Sequence, residues 1–163
     1  MKRSILIAIA VAAFSAGAAR AEEQSPKDVV VAIYHVAAGP KGDYQVPSAI
    51  DDNQVRKHFT RSLIAAQKAM DARSKKLNEP ILDFDPVTNS QDPSVRNLAI
   101  DVESADAART VVAARFDSEG AEAQNIVRYI FVREAGAWRL DDITGENGPD
   151  KWDLREVMNP KAK

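Results

Sequence analysis

Ile81-Leu82-Asp83-Phe84-Asp85-Pro86-Val87-Thr88-Asn89-Ser90-Gln91-Asp92-Pro93 is the stretch at which the chain changes character. Before it, apolar residues recur at helical spacing; after it, they alternate with period two. A helix returns to the same face every ~3.6 residues and a strand every second residue, so the switch predicts helices followed by strands. The stretch itself reads as a rigid, turn-rich hinge. It also holds the densest group of oxygen-bearing side chains in the chain.

Upstream, Ser25-Pro26-Lys27-Asp28 is a helix start: Ser25 can cap, Pro26 suits the first helical position, and Asp28 favours the positive end of the dipole. Val30, Ile33, Tyr34 and Ala37 then make one face of residues 26–38 apolar, and Gly39-Pro40-Lys41-Gly42 ends the helix. Asp51-Asp52-Asn53-Gln54 resembles a capping box with Asp51 as the cap, opening a short helix to about His58. Phe59, Leu63, Ala66 and Met70 form the stripe of a further helical region that closes near Leu77, before Pro80.

Downstream, four strands are expected. Leu98, Ile100 and Val102 alternate with Ala99, Asp101 and Glu103; Thr110–Phe116 and Ile126–Val132 follow; Ala137–Ile143 is the last, after a tight reversal at Glu134-Ala135-Gly136. Gly145–Pro149 is expected to break that last strand, and Lys151–Met158 to form a closing helix that buries Trp152. Short loops between successive strands imply an antiparallel meander. The predicted class is α+β: an antiparallel sheet of about four strands packed against N-terminal helices.

The N-terminus points to export. Lys2 and Arg3 precede the apolar run Ile5–Phe14, and Ala19-Arg20-Ala21 offers a small-residue cleavage site, so residues 1–21 read as a signal peptide and 22–163 as a single domain in the periplasm or outside the cell. With no cysteine, neither a lipoprotein anchor nor a disulfide can form, and no membrane anchor is expected after cleavage. The precursor carries a formal charge of −2, and cleavage would remove Lys2, Arg3 and Arg20, which makes nucleic acid a poor partner.

Trp138-Arg139-Leu140-Asp141-Asp142-Ile143, following the Gly136 hairpin, resembles the final strand of the nuclear-transport-factor-2-like (SnoaL-like) cone fold. Together with Tyr34, His58-Phe59-Thr60 and Phe84-Asp85-Pro86…Asn89…Gln91-Asp92, it is similar to the bacterial domain-of-unknown-function family 3828 (DUF3828) of that superfamily. The resemblance spans about Pro26 to Met158. It implies a cone-like curved sheet, export in many members, no established family-wide reaction, and a homodimer as one option. Superfamily members with acid–base chemistry carry a His–Asp pair inside the cone; His35 and His58 match no such motif.

Oxygen ligands at Asp83, Asp85, Asn89, Gln91 and Asp92 invite a hard cation, but the glycine and glutamate of an EF-hand loop are missing from their places. Asp85-Pro86 and Asp92-Pro93 read instead as turn formers whose carboxylates accept nearby backbone N–H groups. The candidate ligand-binding residues are Tyr34, Asp85, Gln91, Asp92, Arg128 and Trp138, with Asp142 or Asp101 as partner for an inward Arg128. No catalytic residue, metal ligand or cofactor is assigned. The chain lacks a Gly-x-Ser-x-Gly elbow, a thiol and a phosphate-cradling loop. The reading that follows is a non-catalytic exported module for a small ligand or an envelope protein. The alternatives are a small hydrolase or isomerase using a carboxylate or histidine, and an inhibitor- or immunity-type protein-binding domain.

Overall fold

The computed structural model describes residues 23–46 and 48–159, so the segment read as a signal peptide lies outside the described residues. Helix α1, Pro26–Ala38, starts as expected: Ser25 Oγ accepts the Asp28 N–H at 3.2 Å. Its stripe of Val29, Val30, Ile33, Tyr34 and Ala37 is buried. Gly39 ends it with φ 63°, and a Cβ there would lie 2.3 Å from Val46 Cγ2, so the turn needs glycine twice over.

A 3₁₀ turn, Ala49–Asp51, leads into the four-residue α2, Asn53–Arg56. Here the cap is Asp52 rather than Asp51: Asp52 Oδ1 accepts the Gln54 N–H at 2.6 Å, while Asp51 Oδ1 takes Gln67 Nε2 at 2.6 Å. The chain then extends briefly along the sheet, with Thr60 N donating to Leu140 O and Leu140 N to His58 O. Thr60 Oγ1 caps α3, Arg61–Leu77, by accepting the Leu63 N–H at 3.1 Å. Asn78, φ 56°, closes it.

Five antiparallel strands follow in sequence order: β1 Arg96–Ala105, β2 Arg109–Asp117, β3 Asn125–Glu134, β4 Ala137–Asn147 and β5 Asp150–Asp153. The fold is α+β, with five strands where about four were expected. Gly145 does not break β4. It lies opposite Trp152 in the ladder, and a Cβ on it would fall 2.3 Å from the Trp152 ring. The strand therefore runs on to Asn147, turns at Gly148 (φ 57°) and returns as β5; only Leu154–Met158, α4, remains helical. The missing side chain makes room for a ring instead of ending a strand.

The helices cover one sheet face, onto which Val112, Phe116, Val127, Tyr129, Phe131, Leu140 and Ile143 project, all fully buried. Each large side chain so buried contributes roughly 1.5–3 kcal/mol. A β-bulge at Asp141, between Leu140 opposite Phe131 and Asp142 opposite Ile130, keeps both Leu140 and Ile143 on that face. The opposite face carries a chain of ion pairs crossing every strand. Glu103 of β1 meets Arg115 of β2 (3.0 Å) and Arg128 of β3 (2.6 Å); Glu146 of β4 meets Arg128 (3.1 Å) and Lys151 of β5 (3.2 Å). Arg128 thus points away from the helices, and its partners are Glu103 and Glu146 instead of Asp142 or Asp101. The Arg128 guanidinium in turn holds the Glu103 carboxyl below the usual range.

Candidate binding site

The hinge folds back on itself. Asp85 Oδ1 accepts the Val87 N–H at 3.0 Å and Oδ2 the Thr88 hydroxyl at 2.9 Å, while Asp85 N donates to Ser90 O at 2.9 Å. This is the Asx-type turn expected of an aspartate before proline. Its tip, Pro86-Val87-Thr88, is buried, and Val87 O accepts the Tyr34 hydroxyl at 2.8 Å. Burial pushes the Asp85 carboxyl up, against the pull of its turn hydrogen bonds. Burial likewise pushes the phenols of Tyr34 and Tyr129, which lie close to Asp85, far up, so both stay neutral.

Asn89 fastens the hinge to the sheet. Its Oδ1 accepts Trp152 Nε1 at 2.6 Å and its Nδ2 donates to Asn125 Oδ1 at 2.8 Å, an oxygen that also accepts Asn147 Nδ2 at 3.0 Å. Asn125 Nδ2 continues to Ser118 Oγ at 2.9 Å. Phe84 meets the Trp152 ring edge-on, centroids 5.0 Å apart. These anchors fix the loop from within and leave Asp83 and Gln91 exposed, with Leu82, Phe84, Asp85 and Ser90 half-buried between them.

Those side chains wall a groove of about 530 Å³ against the segment that follows α1. Val46, Pro80, Leu82, Phe84 and Pro93 make its apolar surface; Gln45, Ser48, Asp83, Asp85, Ser90 and Gln91 are its polar groups. A smaller lobe of about 210 Å³ shares Ser48, Pro80, Leu82 and Phe84 with it and adds Asp51, Asp71 and Ser74. Every ionisable residue lining the two lobes is an aspartate.

Of the six residues singled out from the sequence, Asp85 and Gln91 line the groove. Tyr34 lies beneath it as core, edge-on to Phe116 and Tyr129. Asp92 is exposed beside the groove in a tight exchange with Ser90, its N–H donating to Ser90 Oγ at 2.9 Å. Arg128 belongs to the ion chain on the other sheet face. Trp138 sits on the β3–β4 hairpin with the Arg133 guanidinium 4.1 Å from its ring centroid, and its backbone N–H donates to the Glu23 carboxylate. The six do not converge. Gln45, Ser48, Leu82 and Phe84 complete the groove unannounced: Gln45 and Ser48 come from a distant loop, and pairing that loop with the hinge is a tertiary event with no local pattern.

Two other places carry chemistry. Asp141 Oδ1 accepts Arg155 Nη2 at 2.6 Å, the Thr60 hydroxyl at 2.9 Å and the Ser62 hydroxyl at 3.3 Å, tying α3, the bulge and α4 together. Next to it, burial and then the adjacent Asp153 carboxylate push Asp142 up to about 7, against hydrogen bonds from the Ile143 and Arg155 N–H groups. His35 is exposed on α1. His58 lines a cleft of about 80 Å³ between α1 and α2; burial, Lys57 and Arg139 push its pKa down. Among the described residues, no three of His, Cys, Asp and Glu are grouped to hold a metal ion, and no helix is long and apolar enough to cross a membrane.

The chain matches no family model, and no curated protein or solved structure is significantly similar to it.

Proposed function

We propose that the protein is an exported, non-catalytic binding module that receives a small ligand in the groove beside the hinge. One observation carries the reading: the hinge backbone is held from inside by Tyr34, Asn89 and Trp152, so Asp83, Phe84, Ser90 and Gln91 form a wall in place before a ligand arrives. Binding to a preorganised wall loses little freedom on association, and an apolar floor with a few convergent polar groups suits a small molecule. Export rests on the basic, apolar and small-residue pattern of residues 1–21. The resemblance to DUF3828 and the nuclear-transport-factor-2-like superfamily, with the cone-like curvature and optional homodimer it implies, is part of the same reading. It supports a pocketed scaffold without a family-wide reaction.

A second reading, a hydrolase or isomerase, is favoured by the Asp142 carboxyl, which burial and Asp153 bring near neutrality as a general acid or base requires. Asp142 lines none of the three clefts described above, so the binding reading ranks first. The test is titration of the isotope-labelled mature chain with fractionated cell-envelope extract, followed by amide chemical shifts. Shifts centred on residues 45–48 and 82–91, abolished by Phe84→Ala, support the groove; shifts centred on Asp142 and Asp153 support the second reading and overturn the first.

A further inference from the structure

The two edges of the sheet are not alike. β5 offers four residues and passes straight into α4, whereas β1 offers ten. β1 pairs with β2 alone, and no backbone group of residues 96–105 has a partner on its other side among the described residues. A row of unpaired N–H and C=O groups is a template for a further strand. The side chains along it are apolar for so open a place: Leu98 and Ile100 are half-buried against the core, and Val102 is 49% exposed. On α1, Lys27 reaches β1 through Asp101 at 3.6 Å, and Val31, one turn along that side of the helix, is 47% exposed. The helical layer therefore adds a second apolar residue beside the same edge.

The order of residues along β1 says what fits it. The ladder with β2 is irregular between Arg96 and Ala99 and again between Val102 and Ser104, which leaves Ala99–Val102 straight. When two copies of one strand meet about a two-fold axis, one residue faces itself and its neighbours pair symmetrically outward. Centring on Asp101 or Glu103 sets a carboxylate against its own copy, and centring on Val102 sets Asp101 against Glu103. Centring on Ala99 sets Arg96 against Val102. Centring on Ile100 sets Leu98 against Val102, Ala99 against Asp101 and Asn97 against Glu103, so apolar meets apolar and no like charges face each other. The broad outer face of the sheet is a poorer surface for a second copy, since covering it would bury the Glu103–Arg128–Glu146 ion pairs.

We infer that β1 is the surface through which two copies of the chain join, antiparallel about Ile100, to continue one sheet into the other. This gives a surface to the homodimer named above and does not depend on the groove. Lys27 and Asp101 are its clasp. Asp101 lies opposite Ala113, and Ala113 opposite Arg128, so Asp101 stands on the ion-pair face while Lys27 comes from the helices on the other. Their bond crosses the free edge. It is exposed at both ends, so it covers the edge weakly and yields to an incoming strand.

Sedimentation equilibrium of the purified protein over a wide concentration range tests this, and the expected result is a reversible monomer–dimer equilibrium. Val102→Lys weakens the dimer about tenfold, because the symmetric register loses two Leu98–Val102 pairs at once. Lys27→Ala opens the clasp and tightens the dimer about two- to fivefold, the worth of an exposed ion pair. Both side chains are exposed, and circular dichroism checks that each variant is folded. Amide hydrogen exchange, compared between dilute and concentrated protein, slows within residues 98–102 and not within residues 150–153 of the opposite edge. A chain that stays monomeric at every concentration overturns the inference. So does a dimer indifferent to both substitutions, or one whose added protection lies outside β1. The groove is read at residues 45–48 and 82–91 in its own titration, so either reading can fail while the other stands.

Discussion

Gly145 and Trp152 show how one missing methyl group shapes the end of the sheet. The ring occupies the place of the Gly145 Cβ, meets Phe84 edge-on and sends its N–H to Asn89. Gly145→Ala puts a carbon 2.3 Å from that ring, and overpacking of this kind costs about 1–3 kcal/mol. The expected outcome is a lower urea midpoint with a shifted tryptophan emission; an unchanged midpoint contradicts the packing. Asp142 makes a second prediction at this scale. Its pKa is raised by folding from 3.8 to about 7, so the folded chain keeps a proton that the unfolded chain gives up. That contribution is complete below pH 3.8 and is lost as pH climbs through about 7. Unfolding free energy should therefore decline across this window, and Asp142→Asn should flatten the decline while raising stability at pH 8 by about 1–2 kcal/mol. A variant profile parallel to the parent's would contradict the carboxyl pair.

At the level of elements, the hinge is closed on itself by backbone bonds between Asp85 and Ser90 and tied to the rest of the fold through the side chains of Tyr34, Asn89 and Trp152. Asn89 has φ 53°, conformationally suited to Asn, and satisfies two donors or acceptors at once. Asn89→Ala strains that backbone and leaves the Trp152 N–H without its acceptor, a loss of about 1–3 kcal/mol. Hydrogen exchange should then speed at Asp85 and Ser90, whose backbone groups close the loop; unaltered exchange there would contradict the anchor. Across the sheet, Arg128→Ala breaks two ion pairs, each partly exposed and worth about 0.2–1 kcal/mol, so its cost should fade in high salt. Helix α1 was legible to the residue because cap, proline and stripe are all local. Strand β5 was not, since Gly145 carries the ordinary signature of a break and only the Trp152 ring across the ladder reveals its purpose. The site divides the same way. Asp85 and Gln91 were visible within the hinge, whereas Arg128 needed its Glu103 and Glu146 neighbours, brought together only by strand pairing.

The whole molecule is a helical layer on a five-stranded sheet, with its hinge plugged into the seam between them. One sheet face is spent on core, and the other is crossed by its own ion pairs. The preformed groove beside the hinge combines an apolar floor with polar side chains, of which Asp83 and Gln91 make no hydrogen bond among the described residues. The most direct test is native mass spectrometry of the protein purified gently from its own host. The predicted result is a retained small molecule that Phe84→Ala and Asp83→Asn release. A chain that carries no small molecule, or one whose bound mass is untouched by both substitutions, would contradict the groove as the site of function.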